Sequence, residues 1–357
     1  MSLATMKAEA ENPMPQRGPS PVKPVHSGPG PRKRKRSPLL WTAIGTVLGL
    51  FLLYMSTRKV DFAAVSGMLE SVVWPYAAGI LVAMMAFIVM KAWRWGMLLR
   101  FAQGLRFGEL HAAVYIGLAV NFLVAHVGEV LRTAFVARRN RIAASAVLAS
   151  VLIERAMDFI ALLALLALVI AFDPKLPHVV IVAGMVSGGV VVLAFLGLYS
   201  LLEPPAWLER LAILMSRPVP EPVMNWVRAQ LESFRRGLAA LKDARLLALA
   251  IVSSIVQWSL VVAAILFSGF AIGQPVSIVA ATVTFVLIVL GLALPNSPMQ
   301  VGTTQLAFVI GFGTDGTDAT AAIAASLVYT LFLIVPIMFV GGVMAMRYRP
   351  KPELRLR

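Results

Sequence analysis

Three ionisable residues, Glu154, Arg155 and Asp158, stand inside an apolar stretch that runs from about Ile142 to Ala171. That stretch is long enough to cross a bilayer. Each such group costs roughly 2.5–3.5 kcal/mol at the centre of an inserted helix, so the chain must fold in a way that gives each a partner. On a helix Glu154 and Asp158 are four apart and share a face, while Arg155 is three before Asp158. Two uses fit that spacing. One is an internally paired ion cluster that locks helices together; the other is a polar site that touches cargo within the membrane.

Other apolar runs lie at Trp41 to Ser56 and at 74–93, 178–202, 246–271 and 319–346. Hydrophobic residues make up 59% of the chain and charged ones only 14%, which with these runs describes an all-α polytopic membrane protein. Cys is absent, which excludes disulfides, thiol nucleophiles and thiolate metal sites, and the four His are too scattered to form a ligand cluster. No metal or cofactor is expected. The net charge of +15 would suit nucleic acid, but the basic residues fall at helix ends and in loops. There they orient the chain and meet anionic lipid, so nucleic acid is not expected as a partner.

Residues 1–37 are rich in Pro, Ser and Gly and end in Arg32-Lys33-Arg34-Lys35-Arg36, a composition that reads as a disordered basic cytoplasmic tail. Residues 38–346 form a single transmembrane domain, and 347–357 a second basic cytoplasmic tail. The run from Trp41 has no small-residue cleavage site before Arg58-Lys59 and reads as a retained anchor. Within 203–245, Val223, Val227, Leu231, Phe234, Leu238 and Leu241 recur at three- and four-residue intervals between charged residues. The pattern predicts an amphipathic helix on the inner leaflet or against a partner. Trp93, Arg94, Trp95 and Arg100 mix aromatic and basic residues at the end of the second run, in the manner of interfacial anchors.

Loop charges decide how 108–141 and 276–313 are placed. A single crossing by the first would put Arg132, Arg138, Arg139 and Arg141 outside and invert everything downstream, against the positive-inside rule. Both stretches therefore read as re-entrant helical hairpins, with turns at Ala125-His126-Val127-Gly128 and Pro295-Asn296-Ser297-Pro298. The expected architecture is about six full crossings plus two hairpins in an inverted repeat, with both termini cytoplasmic. Broken helices at equivalent places in two halves point to a transport site.

The polar residues of the hairpins are the remaining candidates. Glu129 and Arg132 are three apart, the spacing of a local ion pair; alternatively Arg132 grips phosphate while Glu129 orients it. Asn121, His126, Asn296, Ser297 and Gln305 complete the candidate substrate-binding set with Glu154, Arg155 and Asp158, and Gly128, Pro295, Pro298 and Gly302 shape the turns.

Asn121, Gly128-Glu129 and Arg132, then Glu154-Arg155-x-x-Asp158, then Pro295-x-Ser297-Pro298-x-x-x-Gly302 resemble the flippase-like membrane domain of the lysylphosphatidylglycerol synthetase family. The similarity covers nearly the whole chain beyond residue 38. It implies a domain that moves aminoacylated phospholipid between leaflets, standing here without the soluble domain that attaches the amino acid. The chain departs from the family where Val124 and His126 replace a common Pro and Arg, where Met299 and Gln300 replace common glycines, and where Gln305 replaces a common Glu.

The reading that follows is an inner- or plasma-membrane transporter for a phospholipid or lipid-linked precursor, anionic or aminoacylated phospholipid among them. ATP drive is not expected, since the chain has no phosphate-binding Gly-rich loop with its Lys. Two alternatives remain open: a membrane subunit that recruits a cytoplasmic lipid-modifying synthase, and a membrane-embedded headgroup transferase with Glu154 or Asp158 as general base.

Overall fold

A computed structural model describes residues 38–102, 104–124, 127–172, 220–291 and 298–348, together with scattered positions between 182 and 202, all of them helical. The described residues contain no strand. Their α-helices are α1 (Pro38–Thr57), α2 (Phe62–Glu70), α3 (Trp74–Leu98), α4 (Phe107–Leu123), α5 (Val127–Arg139), α6 (Ala144–Phe172), α7 (Glu221–Gly237), α8 (Ala244–Ala271), α9 (Ile278–Gly291), α10 (Thr303–Gly313) and α11 (Ala319–Arg347). The two tails, most of 178–202, and the turn residues His126, Pro295, Asn296 and Ser297 lie outside the described residues.

Helix starts follow the sequence. Asp61, Asp243 and Asp318 cap α2, α8 and α11, each accepting hydrogen bonds from backbone N–H groups two or three residues on. Helices α3, α8 and α11 are long and apolar enough to cross a membrane. At about 1.5 Å per residue they reach roughly 37–44 Å, beyond a hydrocarbon core of about 30 Å. Helix α6 has 29 residues but carries Glu154, Arg155 and Asp158 at its middle. The helices of the two hairpins are shorter, 17 and 13 residues in α4 and α5 and 14 and 11 in α9 and α10, or about 16–26 Å.

The packing repeats. Helix α3 lies against α8, α4 against α5 as α9 against α10, and α5 against α6 as α10 against α11. The exchange crosses between halves as well: α4 packs on α11 and α9 on α6, while α3 meets α11 as α8 meets α6. Each of the stronger contacts among these eight helices has a counterpart under the exchange of α3–α6 with α8–α11, a two-fold pattern with α3 and α8 at its centre. One apolar core joins them, built on Ile80, Met84 and Ile88 of α3, Val261 and Ile265 of α8, Phe285 of α9, Phe308 and Phe312 of α10 and Tyr329 of α11. The Phe308 ring sits 5.1 Å from Phe312 and 5.4 Å from Tyr329.

Two glycines let backbones meet. Gly128 of α5 lies against the Gly117 carbonyl of α4, where a Cβ would overlap the oxygen. Gly302, at φ +89°, opens α10 beside the Gly49 carbonyl of α1, so α1 braces the second hairpin.

The amphipathic segment differs from the expectation of one helix through Leu241. Helix α7 stops at Gly237, which packs on the Ala146 carbonyl of α6. A 3-10 turn over Leu238–Lys242 then buries Leu238 among Leu98, Ile153, Met157 and Leu246. The earlier apolar residues Val223, Trp226, Val227 and Leu231 stay exposed.

Replacing Gly128 by Ala is expected to force α4 and α5 apart at a cost of about 1–3 kcal/mol, read as a fall of several degrees in Tm of the detergent-solubilised chain. Gly313→Ala, with no atom within 4 Å of the new methyl, leaves Tm unchanged or slightly raised.

Candidate functional site

Four helices bring their charges to one place. Helix α3 supplies Lys91, Arg94 and Trp95, spaced to share a face; α5 supplies Glu129 and Arg132; α6 supplies Glu154, Arg155 and Asp158; and α8 supplies Ser254 and Trp258. Glu154 is fully buried. It takes a hydrogen bond from Lys91 Nζ and another from Arg132 Nη1 at 2.9 Å, with Arg94 Nη2 at 3.6 Å. Asp158 accepts from Arg94 Nη2 at 2.6 Å and from the Trp258 indole at 3.0 Å, with Arg155 Nη1 at 3.6 Å and Lys91 Nζ at 3.9 Å. Arg94 also donates to Ser254, and Arg155 to Glu129. The Arg132 guanidinium lies 4.6 Å above the Trp95 ring, whose indole N–H donates to Ser150 at 3.0 Å. Such stacking suits a planar, weakly hydrated cation.

These contacts revise two expectations. Glu129 and Arg132, three apart on α5, pair not with each other but across to α6, Glu129 with Arg155 and Arg132 with Glu154. Arg94 and Trp95 are not interfacial anchors: both are fully buried. Helix α3 continues past residue 93 to Leu98, which carries Lys91 and Arg94 into the bundle and not into a basic loop. Trp93 and Arg100 do stay exposed. A signal for the missed pair was present: Lys91 and Arg94 are three apart, and Glu154 and Asp158 four apart, so two helical faces of opposite charge match in register.

A cavity of about 210 Å³ opens beside this network. Lys91, Asn121, Glu129, Arg155 and Gln300 form its polar lining, and Phe87, Phe122, Trp258, Phe285 and Tyr329 lead an apolar wall. Of the expected binding residues, Asn121, Glu129 and Arg155 reach it. Arg132, Glu154 and Asp158 stand behind them, Asp158 beside Arg155 and Glu154 between Arg132 and Lys91. Asn121 has a second task, since its Oδ1 accepts from the Gly128 N–H at 2.7 Å and ties the ends of the first hairpin together. Gln305 is buried and its Oε1 accepts from the Gly302 N–H at 2.7 Å, so it caps α10 away from the cavity.

The turn Pro298–Gln300 packs against α4. Met299 and Gln300 have φ of +57° and +58°, the left-handed region that glycine occupies freely and other residues adopt at a cost of about 1 kcal/mol each. Asp158 Oδ2, Arg94 Nε, Arg132 Nη2, Arg155 Nε and both amide atoms of Gln257 are buried without a hydrogen-bond partner. Among the described residues no group of three or more His, Asp or Glu is arranged to hold a metal ion.

The family model for the lysylphosphatidylglycerol synthase TM region matches residues 42–341. The chain belongs to that family. No curated protein matches it.

Glu154→Gln leaves Lys91, Arg94 and Arg132 short of a buried counter-charge and is expected to cost about 3–5 kcal/mol, while Glu129→Gln, at a pair open to the cavity, costs much less; Tm values in detergent distinguish the two. Met299→Gly and Gln300→Gly are each expected to stabilise the chain by about 0.5–1 kcal/mol in the same measurement.

Proposed function

We propose that this member of the family moves a phospholipid or lipid-linked precursor between the leaflets of the inner or plasma membrane, with the headgroup passing through the cavity beside the ion-pair network while the acyl chains stay in lipid. The observation that carries this reading is the lining itself. Lys91, Glu129, Arg155, Asn121 and Gln300 face the same space as an aromatic and aliphatic wall, which suits a ligand polar at one end and apolar at the other. At about 210 Å³ the space holds a headgroup and not a whole lipid.

In this mechanism Arg155 and Lys91 hold phosphate, and Glu129 releases Arg155 to it and takes it back. Arg132 and Glu154, buried against each other, keep the network in register. The hairpins α4–α5 and α9–α10 are re-entrant from opposite sides and gate the cavity alternately, as halves of an inverted repeat with about six full crossings and cytoplasmic termini. The short hairpin helices and the two-fold packing support this arrangement. Movement runs downhill or is coupled to protons.

A second reading has one observation in its favour. The exposed apolar face of α7, Val223, Trp226, Val227 and Leu231, suits the inner leaflet but would also dock a cytoplasmic synthase. The transferase reading loses ground, because Glu154 and Asp158 are engaged by cations and neither lines the cavity.

Leaflet exchange of labelled phospholipids in sealed proteoliposomes tests the proposal. The native chain is expected to move at least one lipid of the panel, and a folded Arg155→Ala variant to lose about tenfold or more of that rate, the worth of a charge-assisted hydrogen bond. A native chain that moves none counts against transport. The topology is tested separately by single cysteines in this Cys-free chain. A cysteine at Asn296 is expected to label only from outside and one at His126 only from inside; labelling of both from one side ends the inverted repeat.

A further inference from the structure

The ion-pair network does not balance. Among the described residues, Lys91, Arg94, Arg132 and Arg155 are joined through Glu129, Glu154 and Asp158 into one connected set, so four cations face three carboxylates there and one positive charge is left over. The count at the cavity wall agrees. Lys91 and Arg155 face Glu129 there, and the remaining polar lining is the neutral amides of Asn121 and Gln300. The nearby pairs Arg139–Glu109 and Arg100–Asp243 are each neutral and separate. Helices α9 and α10, which close the second half, carry no charged residue, and α11 carries only Arg347 at its end.

The surplus is also localised. Arg155 donates to Glu129, but its Nε is buried without a partner. Lys91 has one carboxylate in hydrogen-bond reach, Glu154, and its next, Asp158, is 3.9 Å away. Both cations therefore have donors left over, as Arg94 and Arg132 also do, but of the four only Lys91 and Arg155 line the cavity. A buried charge with no counter-charge is costly in surroundings of low dielectric, and a bound anion relieves that cost through charge-assisted hydrogen bonds.

We infer that the cavity is a site for a single negative charge: it takes a headgroup of net charge −1, a phosphodiester with no amine to cancel it, in preference to a zwitterionic or cationic headgroup. Glu129 sets the upper limit, since a second negative charge on the ligand would sit beside its carboxylate. It also does not favour an amine, because an amine that drew Glu129 away would leave Arg155 with less compensation. The inference rests on the cavity being the headgroup site of the proposed transporter, and it concerns binding and not movement.

The same chemistry would accept a free inorganic anion, so the test separates the two sources. Tm of the purified full chain in neutral detergent is measured with short-chain phosphatidylglycerol, short-chain phosphatidylcholine and inorganic phosphate, at constant ionic strength. The expected result is a rise of about 2–4 °C with phosphatidylglycerol and none with the other two. Equal shifts from the two lipids overturn the inference, and an equal shift from inorganic phosphate overturns its assignment to a lipid. Arg155→Gln reduces the set to three cations and three carboxylates, and Lys91→Gln does so by a second route should the first not fold; either is expected to abolish the difference between the lipids. Persistence of that difference in a folded variant overturns the charge argument. Selective binding without leaflet exchange would sink the transport reading alone, and exchange without selective binding would sink this inference alone.

Discussion

The bundle depends on the burial of Glu154. Its carboxylate is the common acceptor for Lys91 from α3 and Arg132 from α5 and lies 3.6 Å from Arg94, so one residue of α6 sets how three helices approach. In a low-dielectric interior such an arrangement is of one piece: removing Glu154 strands the cations around it, whereas with it in place the set offsets much of its own desolvation. Trp95 and Trp258 extend the same constraint. One ring supports the Arg132 guanidinium, and the other donates to Asp158, so the aromatic packing and the ion pairs hold each other in place.

Much of this was legible in the sequence. The apolar runs at 74–93, 246–271 and 319–346 and the short paired segments at 108–141 and 276–313 follow from local rules of length and spacing, and in the described residues they reappear as helices. The importance of Glu154, Arg155 and Asp158 was legible from their cost alone. Partner choice was not, because it is set by distance across the bundle. A spacing of three suggested that Glu129 would hold Arg132, yet each found a closer counter-charge on α6. Lys91 and Arg94 were obscured for a different reason. Basic residues at the end of an apolar run look like loop residues until the length of the helix is known. The departure at Met299 and Gln300 was visible as a loss of glycine, but only the backbone shows that both residues took the glycine-like conformation regardless.

The scaffold is two-fold, and the chemistry is not. Among the described residues the seven network charges come from α3, α5 and α6, while α9 and α11 line the cavity with Phe285, Ile288, Val289, Tyr329, Leu333 and Ile337. The charges that line the cavity, Lys91, Glu129 and Arg155, all belong to the first half, which also adds Phe87 and Phe122, while the second half adds apolar side chains and the amide of Gln300. A symmetric frame with one charged face is a way to hold a molecule whose own two ends differ in polarity.

The turn at Met299 and Gln300 has a consequence for how that frame rests. Two adjacent residues in the left-handed region raise the energy of this arrangement of the second hairpin. Any arrangement that returned both to ordinary backbone angles would recover about 2 kcal/mol, a factor of about 30 in occupancy. The side chain of Gln300 also forms part of the cavity lining. The turn therefore stores backbone strain beside the cavity, and that strain enters the balance between any two shapes the hairpin can take.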